Sequence, residues 1–246
     1  MELGTLSSTS KIMLVEPQDS GILIAFEGSD GSGKTTQRKL FRSWLKSIGQ
    51  DLVVTKWNSS PAFKDVIKAR KAARSLDPID YALLHAADFH HRYENVIRPA
   101  LRLGKTVLAD RYIFTGLARD AARGLARSWS MKLYSGVRKP DLVFYFAAPV
   151  EVFAQRIIAS REIKYYEAGQ DVTGITDPYQ SYLKFAAKVL AQYEALNRQF
   201  GFAVIDAQQS IYEQHRIIRE TYLARVAAVP RTLDLQPQLT AKFAAN

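Results

Sequence analysis

One short motif constrains the fold of this chain more than any other feature of its sequence. Residues 28–35 match the pattern Gly-x-x-x-x-Gly-Lys-Ser/Thr, between an apolar run at residues 22–26 and a helical pattern that begins at Lys34. In that strand–loop–helix setting, backbone N–H groups and the positive end of the helix dipole surround phosphate groups. The motif therefore predicts a loop that binds ATP, made of Gly28, Ser29, Asp30, Gly31, Ser32, Gly33, Lys34, Thr35 and Thr36.

Two side chains of this loop have predicted roles in phosphoryl transfer. Lys34 is expected to bridge the β- and γ-phosphates, which makes it a catalytic candidate. Thr35 carries the first hydroxyl group of the helix and is the expected Mg²⁺ ligand, because the ion joins oxygens of the same two phosphates. ATP and Mg²⁺ are therefore the predicted cofactors.

Short apolar runs alternate with longer helical patterns along the rest of the chain. Strands are predicted at residues 22–26, 52–55, 106–109, 142–146 and 202–205, and helices at 34–48, 81–103, 114–124, 150–159, 179–200 and 211–226. Strands that are apolar on both faces and separated by helices are typical of a parallel sheet covered on both sides. The predicted fold is a three-layer α/β sandwich, the P-loop NTPase fold with a five-stranded parallel sheet.

The 246 residues fit one domain with an extension at each end. We expect an N-terminal arm at residues 1–20, a kinase domain at 21–228 and an extended or disordered C-terminal extension at 229–246. The longest apolar stretch, residues 142–150, is too short to cross a bilayer, so a cytoplasmic protein without membrane contact is expected. The absence of cysteine excludes disulfide scaffolds, thiolate zinc sites and cysteine nucleophiles.

The net charge of +10 does not by itself identify a partner, because basic residues serve nucleotide phosphates as well as nucleic acids. The densest basic stretch, whose spacing suits one side of a helix, consists of Lys64, Lys68, Arg70, Lys71 and Arg74. A solvated helix face is the preferred interpretation, with phosphate contact and nucleic-acid contact as alternatives.

Two further groups of charged residues fit phosphoryl transfer. Asp110 and Arg111 end the third strand, at the sheet edge where ligands of such folds bind. Asp110 is expected to hold Mg²⁺ and Arg111 to reach the transferring phosphoryl group, so both are catalytic candidates. After the fourth strand, a polar segment reads as a mobile lid that carries Arg156, Arg161 and Lys164.

The phosphate loop from residues 26–37 and the sequence Asp110-Arg111-Tyr112 together resemble the thymidylate kinase family, over about residues 21–225. The resemblance implies a kinase of a nucleoside monophosphate, with small-molecule nucleotides as partners and a homodimer as the assembly. It also implies that Asp30 contacts the acceptor sugar, that Arg111 bridges the donor and acceptor phosphates, and that residues 205–208 flank adenine.

The acceptor pocket departs from the family pattern. His85 and Phe89 align where the family usually has an aromatic residue that stacks on thymine and an arginine that binds phosphate. Lys56 and Trp57 follow the second strand in place of the family's usual arginine, and Arg119 and Asp120 stand where thymine is usually faced. The acceptor-binding candidates are Asp30, Lys56, Trp57, His85, Phe89, Arg92, Tyr112, Arg119 and Asp120. For Arg92 a solvated helix face is the preferred interpretation.

Three hypotheses remain open at this stage. The first is a kinase of a pyrimidine deoxynucleoside monophosphate, with dTMP as the leading acceptor. The second is a kinase of the same fold that acts on a nucleoside or a non-nucleotide metabolite, for which Glu27 or Asp110 has to accept the hydroxyl proton. The third is a regulatory or nucleic-acid-associated protein that uses ATP as a switch.

Overall fold

The computed structural model describes residues 14–15 and 19–227. The predicted C-terminal extension and most of the predicted N-terminal arm lie outside these residues, so the domain boundaries stay a prediction. Within the arm, Val15 pairs with the segment that precedes the fourth strand: its N–H donates to the Val137 carbonyl at 2.9 Å, and its carbonyl accepts from the Lys139 N–H at 2.9 Å. In the described part of the chain, no helix combines the length and apolarity needed to span a bilayer.

The predicted five-stranded parallel sheet is confirmed. Its strands are Ile22–Gly28 (β1), Leu52–Lys56 (β2), Thr106–Asp110 (β3), Leu142–Ala147 (β4) and Ala203–Asp206 (β5). They lie in the order β2-β3-β1-β4-β5, and each pairing is parallel. Because β1 is central and Phe26 stands opposite Asp110, the phosphate loop and the end of β3 meet at one edge of the sheet.

Helices cover both faces of the sheet. Their bounds are Lys34–Ser47 (α1), Lys64–Ala72 (α2), Pro78–Arg92 (α3), Arg98–Arg102 (α4), Ile113–Ala122 (α5), Arg127–Leu133 (α6), Val150–Ile158 (α7), Tyr165–Ala168 (α8), Gln170–Thr173 (α9), Pro178–Phe200 (α10) and Ile211–Ala227 (α11). Successive strand residues point to opposite faces. Ile24 and Phe26 therefore join a core with α1 and α11, whereas Leu23 and Ala25 join a core with α5 and α10.

The prediction of one continuous helix at residues 81–103 is wrong, because the structure divides this segment into two α-helices. The helix begins at Pro78, where the Asp77 carboxylate accepts the Asp80 N–H at 2.7 Å, and a π-helical turn at Tyr93–Ile97 interrupts it before α4. Pro99 lacks an N–H and crowds the preceding turn, and a widened turn relieves such crowding. The sequence did not predict α6 or the short helices α8 and α9, because four to seven residues are too few to show the helical periodicity of apolar residues.

Candidate active site

The phosphate loop has the backbone conformations that its glycines permit. Gly28, Gly31 and Gly33 have φ angles of 140°, 80° and 82°, which residues with a Cβ rarely adopt. The backbone also approaches its neighbours closely: a Cβ on Gly28 would lie 2.9 Å from the Phe146 carbonyl oxygen, and one on Gly31 would lie 2.7 Å from that of Phe153. The Lys34 ammonium group is buried and donates to the Ser29 carbonyl at 3.0 Å, so it is held over the loop.

An oxygen pair lies beside the loop, where the first turn of α1 meets the end of β3. The Thr35 hydroxyl donates to Asp110 Oδ2 at 3.1 Å, and the buried guanidinium group of Arg38 donates to the same oxygen at 3.1 Å. The sequence predicted Thr35 and Asp110 as partners of one ion, and the fold brings them together. Arg38 was missed because nothing in its spacing marks it as part of the site.

Asp30 lies between two arginines on the other side of the loop. Its Oδ1 accepts from Arg111 Nη2 at 2.7 Å, and its Oδ2 accepts from Arg119 Nη2 at 2.5 Å. Burial alone would raise the pKa of Asp30, but the positive charges of Arg111, Arg119 and Lys34 hold it well below its usual value. Asp30 is therefore ionised at neutral pH and fixes the direction of both arginines.

Arg111 owes its position to an unusual backbone conformation. Its φ angle is 73°, in the left-handed region, and its N–H donates to the Phe26 carbonyl at 3.0 Å. Its Nη1 donates to the Gly28 carbonyl at 2.8 Å and to the Thr115 hydroxyl at 3.1 Å. These contacts aim the guanidinium group at the phosphate loop.

Glu27 ties the end of β1 to α5 and α10 beneath these arginines. Its carboxylate is fully buried and accepts from the Tyr112 N–H at 2.7 Å, the Thr115 hydroxyl at 2.6 Å and the Tyr193 hydroxyl at 2.9 Å. Burial raises the pKa of Glu27, and these donors and Arg111 oppose that rise in part. The carboxylate is thus fully engaged inside the domain.

A second cationic cluster surrounds Tyr81 on α3. The Tyr81 ring stacks on His85 with centroids 4.0 Å apart, the Arg123 guanidinium carbon lies 3.9 Å from the Tyr81 centroid, and Lys71 Nζ lies 4.9 Å from it. Arg119 Nη1 is 3.5 Å from the Tyr81 hydroxyl. Burial by itself would raise the pKa of Tyr81, but Lys71, Arg119 and Arg123 lower it to about 8.

A narrow cleft connects the loop with the helices above it. It is lined by loop residues and by side chains of α5, α8 and α10, among them Asp30, Arg111, Arg119, Glu167, Tyr182 and Phe185. A larger open hollow lies between α5 and α10, next to Gly124 and Lys188. It contains no residue of the phosphate loop, so the smaller cleft is the candidate active site.

One of the predicted lid residues, Arg161, contacts the cleft through Glu167, which lines it. Arg161 donates to both carboxylate oxygens of Glu167 at 2.7 Å, and Arg156 donates to the Ala207 carbonyl at 2.9 Å. Ala207 falls within residues 205–208, which the family resemblance places beside adenine. Lys164 is exposed and begins the short helix α8.

Comparison with known proteins identifies the family. The sequence profile described as Thymidylate kinase matches residues 26–218, which is most of the chain. The chain belongs to the thymidylate kinase family. It is 38% identical over 202 residues to the probable thymidylate kinase 2 of Saccharolobus solfataricus, covering 81% of this chain and 94% of that protein. It is 33% identical to the probable thymidylate kinase of Pyrococcus abyssi, covering 80% and 94%, and 29% identical to the thymidylate kinase of Sulfurihydrogenibium sp., covering 83% and 98%.

Membership in the thymidylate kinase family confirms the predicted resemblance, the P-loop fold and the class of enzyme, a nucleotide-binding kinase that takes its phosphoryl group from ATP. The structure separates the predicted site residues that reach the cleft from those that do not.

Three acceptor candidates pack in the core instead of lining the cleft. Trp57 and Phe89 are buried against each other with ring centroids 6.1 Å apart, and Trp57 also stacks on His85 at 6.2 Å. Arg92 is 2% exposed, donates to Asp88 at 2.8 Å and to the Thr55 hydroxyl at 2.9 Å, so the preferred interpretation as a solvated face is wrong. Asp88 in turn accepts the N–H of Ser60 at 2.9 Å, and this pair shapes the loop after β2.

Tyr112, Asp120 and Lys56 are also placed away from the cleft wall. The Tyr112 hydroxyl donates to the Arg138 carbonyl at 2.8 Å inside the core. Asp120 is 1% exposed and lies beside Ser130 and Tyr134, whereas the adjacent Arg119 pairs with Asp30. Lys56 is exposed at the end of β2, level with Asp110 across the sheet.

Lys71, which belongs to the cationic cluster around Tyr81, has a position that the sequence did not predict. The other members of the basic stretch, Lys64, Lys68, Arg70 and Arg74, are exposed as expected, whereas Lys71 is half-buried and its Nζ lies 3.0 Å from His85 Nε2. The helical spacing placed Lys71 on the same side as Lys68, and only the fold shows that Lys71 reaches α3.

Proposed function

We propose that this chain transfers the γ-phosphoryl group of ATP to the phosphate of dTMP. The observation that carries the proposal is the convergence of Lys34, Arg111 and Asp30 on one cleft beside an intact phosphate loop. The names of the relatives, which are thymidylate kinases, supply dTMP as the acceptor. The loop binds the triphosphate, and the acceptor enters from the side of Arg111 and Arg119.

The chemistry rests on positioning and on neutralising charge, as in other phosphoryl transfers. Lys34 binds the β- and γ-phosphate oxygens from below, and the remaining loop residues supply backbone N–H groups. Arg111 lies between donor and acceptor, so its guanidinium group stabilises the charge that spreads over the transferring group. Arg156, Arg161 and Lys164 are proposed to complete the site from the lid and to exclude water.

Thr35 and Asp110 fit a magnesium ion. Mg²⁺ prefers hard oxygen ligands and is commonly held by one or two protein groups together with phosphate oxygens. The hydroxyl and the carboxylate are 3.1 Å apart at the end of the loop, and no larger cluster of metal-ligating side chains occurs among the described residues. When bound there, the ion would neutralise charge on the β- and γ-phosphates.

The structure favours a phosphate acceptor over a hydroxyl acceptor. A hydroxyl group needs a base, whereas a phosphate oxygen is already ionised at neutral pH. Glu27 is engaged by Tyr112, Thr115 and Tyr193, and Asp110 is engaged by Thr35 and Arg38. Neither carboxylate projects into the cleft as a base, which weakens the case for a nucleoside acceptor.

Arg111 and Arg119 are proposed to exchange part of their contact with Asp30 for contact with the acceptor. Both guanidinium groups have further N–H donors, and a phosphate competes for them with the same geometry as a carboxylate. Asp30, once partly released, then accepts a hydrogen bond from the acceptor sugar. The cytoplasmic location and the homodimer stay predictions, and light scattering of the purified protein tests the latter.

The function is tested by coupled ADP production from ATP and Mg²⁺ over a panel of nucleoside monophosphates, free nucleosides and no acceptor. We expect turnover with dTMP and none with free thymidine, and loss of turnover in the Lys34→Ala variant. Turnover that requires a free nucleoside, or ADP production that no acceptor stimulates, would refute the proposal.

A further inference from the structure

The side chain of Lys71 points in a different direction from the other basic side chains of α2. Its Nζ lies 3.0 Å from His85 Nε2 and 4.9 Å from the centre of the Tyr81 ring, so the side chain reaches from α2 across to α3. Lys68, on the same helix, is exposed to solvent. The ammonium group of Lys71 therefore faces the interior of the acceptor side.

This cation has no acidic partner among the described residues. Arg70, Arg119 and Arg123 of the same region each form an ion pair, with Asp80, Asp30 and Asp171 respectively. Within the described part of the chain, Lys71 instead contacts His85 and Tyr81, neither of which is a carboxylate. Burial lowers the pKa of Lys71, and Tyr81 opposes this while Arg119 and Arg123 add to it. A buried ammonium group without a carboxylate partner favours a ligand that brings electron-rich oxygen atoms.

The hydrogen-bond partners of His85 fix which atoms are available. Its Nδ1 lies 2.6 Å from the Tyr81 carbonyl oxygen, which can only accept, so Nδ1 carries the proton. Nε2 then accepts from Lys71, and burial keeps the pKa of His85 well below its usual value, so the ring is neutral. One N–H of Lys71 is used by His85 and a second by Tyr81, so the third remains for a ligand.

A series of contacts that leads away from the phosphate loop indicates which end of the acceptor lies toward Lys71. Starting at the phosphate loop, Asp30 binds Arg119, Arg119 lies at the Tyr81 hydroxyl, and the Tyr81 ring contacts Lys71. The acceptor phosphate has to lie beside the loop, where the γ-phosphoryl group is transferred. The opposite end of a nucleoside monophosphate is its base, so the base extends toward Lys71.

We propose that Lys71 is a specificity-determining residue that donates a hydrogen bond to a carbonyl oxygen on the edge of the acceptor base. The inference rests on the proposed function and adds the group that reads the base. Thymine and uracil carry a carbonyl oxygen at position 4, whereas cytosine carries an amino group there. An ammonium group has only donors, so it binds the carbonyl and repels the amino group. Lys71 supplies this cation from α2, on the acceptor side where Phe89 of α3 is apolar.

The test compares Lys71→Met with Lys68→Met, which removes the same charge from the exposed side of the same helix. For each protein, kcat/KM is measured with dTMP and dCMP, and the binding of both nucleotides is measured by calorimetry. We expect Lys71→Met to lose about 10-fold or more in kcat/KM and affinity for dTMP, in line with a charged hydrogen bond, without loss for dCMP. Lys68→Met should retain the selectivity of the unchanged protein.

Three results would overturn the inference: equal losses for dTMP and dCMP, no loss for dTMP, or the same change in Lys68→Met. Lys71→Arg keeps the charge and should keep a preference for dTMP over dCMP, which separates a lost donor from damaged packing. Failure of the proposed function gives a different result, which is the absence of turnover with both nucleotides. The binding measurements then still show whether the preference for dTMP over dCMP depends on Lys71.

Discussion

Replacement of Asp120 by asparagine should change how the stability of the protein depends on pH. Compared with the unchanged chain, the free energy of unfolding of the variant should be higher at alkaline pH than at acidic pH. The Asp120 carboxylate is 1% exposed, and neither of its oxygens has a hydrogen-bond partner among the described residues. Burial raises its pKa from 3.8 to about 7, and Arg123 and Ser130 oppose the rise only in part. That difference in pKa corresponds to about 4 kcal/mol of cost for the ionised form in the folded state.

The sign follows from which state binds the proton. Between the unfolded and the folded pKa, the folded protein binds more protons, so its free energy of unfolding falls as pH rises through this range, and the loss is complete above about pH 7. The asparagine of the variant does not titrate, and all other groups cancel in the comparison. Between pH 5 and pH 8, the free energy of unfolding of Asp120→Asn should therefore rise by roughly 2.5 kcal/mol relative to that of the unchanged chain.

Urea unfolding of both proteins at these two pH values measures this difference. The linear dependence of the unfolding free energy on urea gives each value, and equal slopes show that the unfolded states are comparable. A difference between the two proteins that is the same at both pH values would refute the burial of an ionisable group at this position. A difference of opposite sign would mean that Asp120 has an ionic partner in the folded state.

Three further predictions concern the phosphate loop and the packing of α5. Lys34→Ala should lower turnover roughly 10²-fold or more, the usual effect of losing one preorganised charge-stabilising donor, and a kcat near that of the unchanged enzyme would contradict its role. Burial, assisted by Arg111, lowers the pKa of Lys34 to about 8, so kcat/KM for ATP should fall as pH rises above about 8. The value of kcat should be maintained to higher pH, because bound phosphates stabilise the ammonium group. A kcat/KM that does not change with pH would contradict this expectation. Gly116→Ala should lower the free energy of unfolding by about 1–3 kcal/mol, because the new Cβ would lie 2.2 Å from Tyr134 Oη in a closed core, and an unchanged melting temperature would show that Tyr134 can move aside.

The donor side of the site could be predicted from the sequence because its contacts are local. Lys34 reaches the Ser29 carbonyl only five residues away, and the glycines specify the backbone by themselves. Asp110 could also be placed, since the carboxyl ends of neighbouring parallel strands meet at one edge whatever lies between them. The five strands were found because each is a short apolar run set between longer helical patterns, a signal that needs no knowledge of distant partners.

The acceptor side could not be predicted because its side-chain contacts join residues that are far apart in the sequence. Asp30 pairs with Arg119, 89 residues away, although the adjacent Asp120 is the nearer carboxylate in sequence. The helix makes the choice: neighbouring residues on a helix point about 100° apart, so Arg119 faces the cleft while Asp120 faces α6. Lys71 and Lys68 lie only one helical turn apart, yet Lys71 contacts α3 whereas Lys68 is exposed to solvent. Which charged side chains of α2 and α5 face the acceptor side therefore depends on how these helices pack against α3 and α6, and the local sequence does not specify that packing.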